Sequence, residues 1–211
     1  MTLIFSFENI PQINYMNSKK KIIFLKILIM KKTLLLVIFT PIFLFAQIND
    51  FQGFMDFTYD NDSGKIILKI EDLDKEFLYI NSLSRGVGNN DLGLDRGQLG
   101  NSRVVYFTKR GNKILLIQPN LRYISNSRNP LENKAVDEAF ARSVLFGFDI
   151  VEKSDASFKV DLTPFLINDA HGVVQRLKSI NSGSYSLNKS MSAIDLDRTK
   201  SFPKNIEFDV L

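Results

Sequence analysis

The feature that most constrains this chain is a two-residue alternation of apolar and other side chains, which recurs through its middle. Ile66, Leu68 and Ile70 alternate with Ile67, Lys69 and Glu71. Val144, Phe146, Phe148 and Ile150 alternate with Leu145, Gly147 and Asp149, and Phe158, Val160 and Leu162 repeat the pattern. That is the period of a strand with one buried face. Turn chemistry falls between the runs. Asn61-Asp62-Ser63-Gly64 separates Phe51, Phe54, Phe57 and Tyr59 from the Ile66 run, and predicts a hairpin. Arg110-Gly111-Asn112 separates Val104–Phe107 from Ile114–Ile117 in the same way, and Ser154-Asp155 precedes the Phe158 run. Phe77–Ile80 adds a strand, and Ser192–Leu196 and Ile206–Leu211 read as late ones.

Two helices interrupt the strands. Asn129-Pro130-Leu131-Glu132 carries a cap, a proline suited to the first helical position and a capping-box acid. Leu131, Ala135, Val136, Ala139 and Phe140 then form an apolar stripe that is expected to pack on the sheet. Thr163-Pro164 starts a second helix, with Leu166, Ala170, Val173, Val174 and Leu177 at helical spacing. Gly172 weakens it by about 1 kcal/mol relative to Ala, so a bend or restart is expected near Asp169. Hairpin-linked strands with two amphipathic helices give an α+β fold with a largely antiparallel sheet. The body phenylalanines fall at core positions of these elements.

Net charge is misleading until the chain is divided. The 211 residues carry +4, but residues 1–46 hold six lysines and one acid, which leaves 21 bases and 22 acids for the rest. A body at −1 gives no reason to expect a nucleic-acid partner. Met30-Lys31-Lys32, an apolar run and Leu44-Phe45-Ala46 read as a signal peptide over residues 30–46. The run is shorter than the roughly 18 residues of a membrane span and contains Pro41, so no stable span is expected after cleavage. Residues 1–29 precede this complete leader and read as a misassigned upstream extension. The protein is expected to be exported, periplasmic or secreted. Residues 47–211 read as one α+β domain, and Leu211, inside an apolar run, suggests that it is incomplete at its C-terminal end.

The absence of cysteine excludes disulfides, thiolate metal sites and a cysteine nucleophile, and a single histidine excludes a zinc site of several His ligands. No catalytic residue, cofactor site or metal site is assigned. His171, with Asp169 near it, is the only candidate histidine base, and a structural histidine on a helix face is the favoured reading. The most unusual stretch is Arg85–Gly100, with five glycines in sixteen residues. It lacks the Lys-Ser/Thr ending of a phosphate-binding P-loop, no helix pattern follows as in a dinucleotide fingerprint, and its acids lack EF-hand spacing. It reads as a structured loop serving another domain or a substrate, a plain connector, or a metal loop. Asn90, Asp91, Asp95, Arg96 and Gln98 are its candidate contact residues.

Glu76–Leu83 and Gly88–Gly100 also carry a resemblance, extended in order by Leu115–Asn120, Ala135–Ala141, Ser143–Phe148, Asp169–Gly172, Ser192–Ile194 and Arg198–Asn205. Over residues 51–211 the chain resembles the N-terminal, non-catalytic region, a domain of unknown function, of large bacterial secreted zinc-dependent metalloproteases. The resemblance implies that the H-E-x-x-H site and its zinc lie in a later catalytic domain, and that this chain is a truncated member, inactive as a peptidase alone. Its implied partners are that missing catalytic half, from the same or a split gene, and a peptide substrate. The alternative is a free-standing exported peptide- or glycan-binding module. A hydrolase built on His171 is a third reading.

Overall fold

Within residues 48–211 ten strands and three short helices follow from this pattern. The computed structural model describes residues 48–211, together with Lys26. The upstream extension expected over 1–29 and the signal peptide over 30–46 lie outside the described residues. The chain divides into two compact units, Met1–Phe45 and Ala46–Leu211, and the second carries the fold described below.

Strands β1 (Ile48–Phe51), β2 (Phe57–Asp60) and β3 (Lys65–Ile70) form a meander. β4 (Phe77–Tyr79), β5 (Arg103–Arg110), β6 (Lys113–Gln118), β7 (Ser143–Lys153) and β8 (Phe158–Asp161) complete an eight-stranded sheet in the order β1-β2-β3-β8-β7-β6-β5-β4. Every pairing in it is antiparallel. β9 (Ile194–Ser201) and β10 (Ile206–Val210) form a separate antiparallel hairpin. The turns expected at Asp62–Gly64, Gly111–Asn112 and Ser154–Asp155 close the hairpins they were assigned to. At the first, Asp60 accepts from Ser63 Oγ at 2.6 Å, from Asp62 N at 2.9 Å and from Ser63 N at 3.4 Å. The Ser63 hydroxyl and those amides hold its carboxyl below the usual carboxylate range.

The alternation buries one face. Ile66, Leu68 and Ile70 of β3, Val105 and Phe107 of β5, Ile114 and Leu116 of β6, Phe148 of β7 and Val160 of β8 form one core cluster. The sheet curls around them as a half-barrel, and Phe54, after β1, reaches Phe77 of β4 at 6.3 Å between ring centroids. The hairpin packs on the core through Phe208, 4.9 Å from Phe57. Most body phenylalanines are core, as expected, but Phe54, Phe140 and Phe202 stay exposed.

The helices depart from expectation. α1 (Pro130–Ala139) starts where the cap signal placed it, and Asn129 Oδ1 accepts from Leu131 N at 3.0 Å. Glu132 does not close the capping box on the backbone; it meets Asn129 Nδ2 at 3.4 Å, while Asn129 N donates to Ser127 Oγ at 3.0 Å. The stripe does not pack on the sheet either. Leu131 is 73% exposed and α1 contains no buried residue. Two of its five stripe residues are alanines, which offer little apolar area to drive docking. The second helix is two helices, α2 (Thr163–Leu166) and α3 (Val173–Ser179), so residues 48–211 carry three short helices instead of two amphipathic ones. The restart near Asp169 is as expected: its carboxylate accepts from Val173 N and Val174 N, both at 2.8 Å, and caps α3. α2 exists to deliver Phe165 into the core, against Tyr79, Phe146 and Phe148.

Two predictions follow from this packing. A Cβ at Gly53 would press on Ser201 Oγ and lie 2.6 Å from the Phe202 carbonyl oxygen, where Phe54 N already donates at 2.8 Å. Gly53→Ala is therefore expected to lower unfolding free energy by roughly 1–3 kcal/mol in urea titrations. Burial pushes the Tyr79 phenol above its ordinary range, and Arg103 offsets part of that rise. A proton held more tightly when folded stabilises the fold fully below the unfolded value, about 10, and that contribution is lost as pH rises through the folded value. Tyr79→Phe should flatten this alkaline loss in denaturation midpoints measured from about pH 9 to 11.

Candidate functional site

The glycine-rich segment links β4 to β5 and folds back on itself as a narrow ribbon. Gly100 N donates to the Asn81 carbonyl at 2.7 Å, Ser82 bridges Leu99, and Leu83 exchanges hydrogen bonds with Gly97 and Gln98 at 2.7 and 3.0 Å. Val87 N donates to the Leu94 carbonyl at 3.1 Å, nearer the tip. Asn90–Leu92 form a 3-10 turn there, with Asp91 N donating to Asn89 Oδ1 at 3.0 Å. Glycine is needed where the two arms close: a Cβ at Gly86 would sit 3.0 Å from Arg96 N and 3.2 Å from the Leu94 carbonyl oxygen. Leu94, 3% exposed, is the segment's apolar anchor.

Three side-chain tethers fix the ribbon. At its base the Asn81 amide pairs with His171 Nδ1 at 3.1 Å. In its middle Arg85 donates to Asp195 Oδ2 at 3.0 Å and stands 3.7 Å from Asp209 Oδ2. At its tip Arg176 of α3 donates through Nε to the Leu92 carbonyl at 3.0 Å. Asp195 and Asp209 lie on β9 and β10 with side chains only 15% and 10% exposed. Asp209 Oδ2 makes no hydrogen bond among the described residues, so Arg85 and Arg198, at 3.7 and 2.9 Å, hold it by charge.

Of the predicted contact residues, Asp91, Asp95, Arg96 and Gln98 are all exposed along the ribbon, and Asn90 lies in the tip turn. Asp95 and Arg96 make no ion pair among the described residues. The tethers leave no local signal in the sequence: Asp195 lies 110 residues from Arg85. His171 and Asp169 are not joined, because both Asp169 oxygens are spent on the α3 amides and His171 Nδ1 faces Asn81. Among the described residues no three His, Cys, Asp or Glu stand close enough to hold a metal ion. No helix of the described residues is long and apolar enough to cross a membrane.

A second feature was not legible beforehand. The turn Asn120–Tyr123, closed by Asn120 Oδ1 accepting from Arg122 N and Tyr123 N at 3.1 and 3.3 Å, faces the C-terminal end of α1. Tyr123 stacks on Phe140 with ring centroids 4.1 Å apart and 14° between planes. Beside this stack lie two open recesses of about 630 and 400 Å³ that share Pro119, Asn120 and Phe140 as walls. Arg103 and Arg122 line the larger, and Asp74, Glu76, Asp137 and Arg142 the smaller. Arg142 donates to Tyr106 Oη at 3.2 Å and lies 3.8 Å from Asp137; the bond to Tyr106 is the first cause that raises the Arg142 pKa. An Asn-closed turn beside an exposed aromatic is the local signal that marks this place.

Removing Arg85 leaves Asp195 and Asp209 short of positive charge. Because Arg85 itself is half exposed, Arg85→Ala is expected to cost only about 1–2 kcal/mol. The same change should speed amide hydrogen exchange in residues 83–98 more than in β6 or β7, which hydrogen-exchange mass spectrometry would read.

No curated protein and no solved structure matches the chain. Residues 97–211, just over half of it, match the domain of unknown function DUF5117. The match takes in Gln98 of the ribbon, its partners His171, Arg176, Asp195 and Asp209, and everything from β5 onward. The chain therefore belongs to the DUF5117 family, a family defined by sequence and without an assigned function.

Proposed function

We propose that this domain is a non-catalytic module of an exported zinc-dependent metalloprotease, and that it supports the protease domain or the substrate cleft through the ribbon of residues 85–100. The observation that carries the reading is the ribbon's construction. A connector needs only to span β4 to β5, whereas this one is tethered at base, middle and tip and leaves Asp91, Asp95, Arg96 and Gln98 exposed and unspent. Holding polar groups rigid before contact reduces the entropy lost on docking. The resemblance of its ordered segments to the N-terminal regions of metalloproteases supports this choice of partner class. In this reading zinc and peptide hydrolysis belong to a separate catalytic domain. The signal peptide at residues 30–46 exports the protein to the periplasm or beyond, with no membrane span retained.

The test uses a longer relative that carries both this domain and H-E-x-x-H. Asp95→Ala with Arg96→Ala is expected to lower kcat/KM on a protein substrate about fivefold to tenfold with the melting midpoint unmoved. Unchanged activity with unchanged stability would sink the reading. A second reading, a free-standing exported peptide- or glycan-binding module, is favoured by one observation, the two-part cleft beside Phe140.

A further inference from the structure

The cleft beside Phe140 is divided by charge. Its larger part is lined by Arg103 and Arg122 and by no acid, and neither guanidinium has a carboxylate partner among the described residues. Its smaller part is lined by Asp74 and Glu76, which likewise make no ion pair among the described residues, while Asp137 in the same part is already engaged by Arg142. Phe140 lines both parts, an exposed aromatic side chain between two charges of opposite sign. Surface charges of opposite sign usually settle against one another; here they line two adjoining recesses that share Pro119, Asn120 and Phe140 as walls.

We infer that the cleft binds a short peptide by its two charged ends: the C-terminal carboxylate at Arg103 and Arg122, and an amino group or basic side chain at Asp74 and Glu76. An apolar side chain of the peptide lies on Phe140, and Gln118, which lines the larger part, offers an amide to its backbone. Guanidinium and carboxylate form the strong, directional pair that a terminal carboxylate needs. A recess of several hundred Å³ holds a ligand of three or four residues. A simple anion uses only the basic half and a simple cation only the acidic half; a peptide with both ends free uses both. The inference deepens the peptide-binding reading of the cleft and rests on it. It does not pass through the glycine-rich ribbon, so its failure leaves the docking reading standing.

The chain contains no tryptophan, so a tryptophan in the ligand reports alone. The probe is Lys-Trp-Leu with both termini free, followed by fluorescence anisotropy with the full chain. Its C-terminal amide and N-acetyl-Ala-Trp-Leu serve as blocked forms, and sodium phosphate as a competitor. Free Lys-Trp-Leu is expected to bind, and each blocked form to bind about tenfold more weakly. Arg122→Gln should weaken the free peptide by about the same factor and make amidation cost nothing further. Glu76→Gln should weaken Lys-Trp-Leu but not the acetylated form. Arg122 and Glu76 are exposed, and the blocked peptides decide the question on the unsubstituted chain if either variant fails to fold. Equal binding of free and blocked forms would overturn recognition by charged ends while keeping peptide binding. Binding by none of them would overturn both. Displacement by phosphate at the concentration of the peptide itself would mark a general anion site and overturn the inference.

Discussion

The aromatic filling of the half-barrel is the constraint on which the rest of the structure depends. An eight-stranded antiparallel sheet with one apolar face must cover that face, and among the described residues only short helices are available to do it. The sheet instead curls over its own side chains. Phe107 stands 5.2 Å from Phe77 and 6.1 Å from Phe148, and Phe165 enters from α2 to meet Phe146 and Phe148 at 5.5 and 5.9 Å. Rings of this size bury much area at tilted and edge-on angles that aromatic pairs favour. The contact between Phe54 and Phe77 then joins segments at opposite ends of the strand order. A four-residue helix is enough for α2 because its task is to place one ring.

The ribbon's position is a consequence of that core at one remove. Phe208 and Ile194 seat the β9–β10 hairpin against the core, and the seated hairpin presents Asp195 and Asp209. Thr199, fully buried, ties its two strands: its hydroxyl donates to the Asp195 carbonyl at 2.9 Å and accepts from Asp209 N at 3.3 Å. The two carboxylates, nearly removed from water, need positive charge, and Arg85 supplies part of it from the ribbon while Arg198 supplies the rest. Charge thus locks onto packing. The ribbon is polar outside and contributes one apolar anchor, Leu94, so its order depends on these tethers more than on burial of its own.

How far the sequence disclosed all this follows the range of each interaction. The strands were legible because alternation at Ile66–Ile70 and Val144–Ile150 is local, and so is turn chemistry at Asp62–Gly64. The cap at Asn129 and the restart at Asp169 were legible for the same reason. The α1 stripe misled because periodicity records which residues share a face and not whether a partner surface exists for it. The ribbon drew notice by its glycines, but its tethers come from residues far along the chain, joined only after the hairpin packs. The charge-divided cleft was hidden in the same way. Asp74 and Glu76 precede β4, Arg103 opens β5, and Arg122 follows β6; only the pairing of these strands brings them to two adjoining recesses walled by Phe140.

Helix α1 shows what an exposed element contributes to such a place. Ten residues with nothing buried are shorter than an isolated helix needs to be stable in water, so local devices must sustain it. Asn129 caps it, Pro130 fixes its first turn, and Lys134 and Glu138 pair one turn apart at 3.5 Å. At its other end the stack of Phe140 on Tyr123 ties it to the turn after β6. These devices hold a helix whose C-terminal end, Ala139 and Phe140, forms a wall of the cleft. A helix kept in place without serving the core makes physical sense where its exposed end is the part in use.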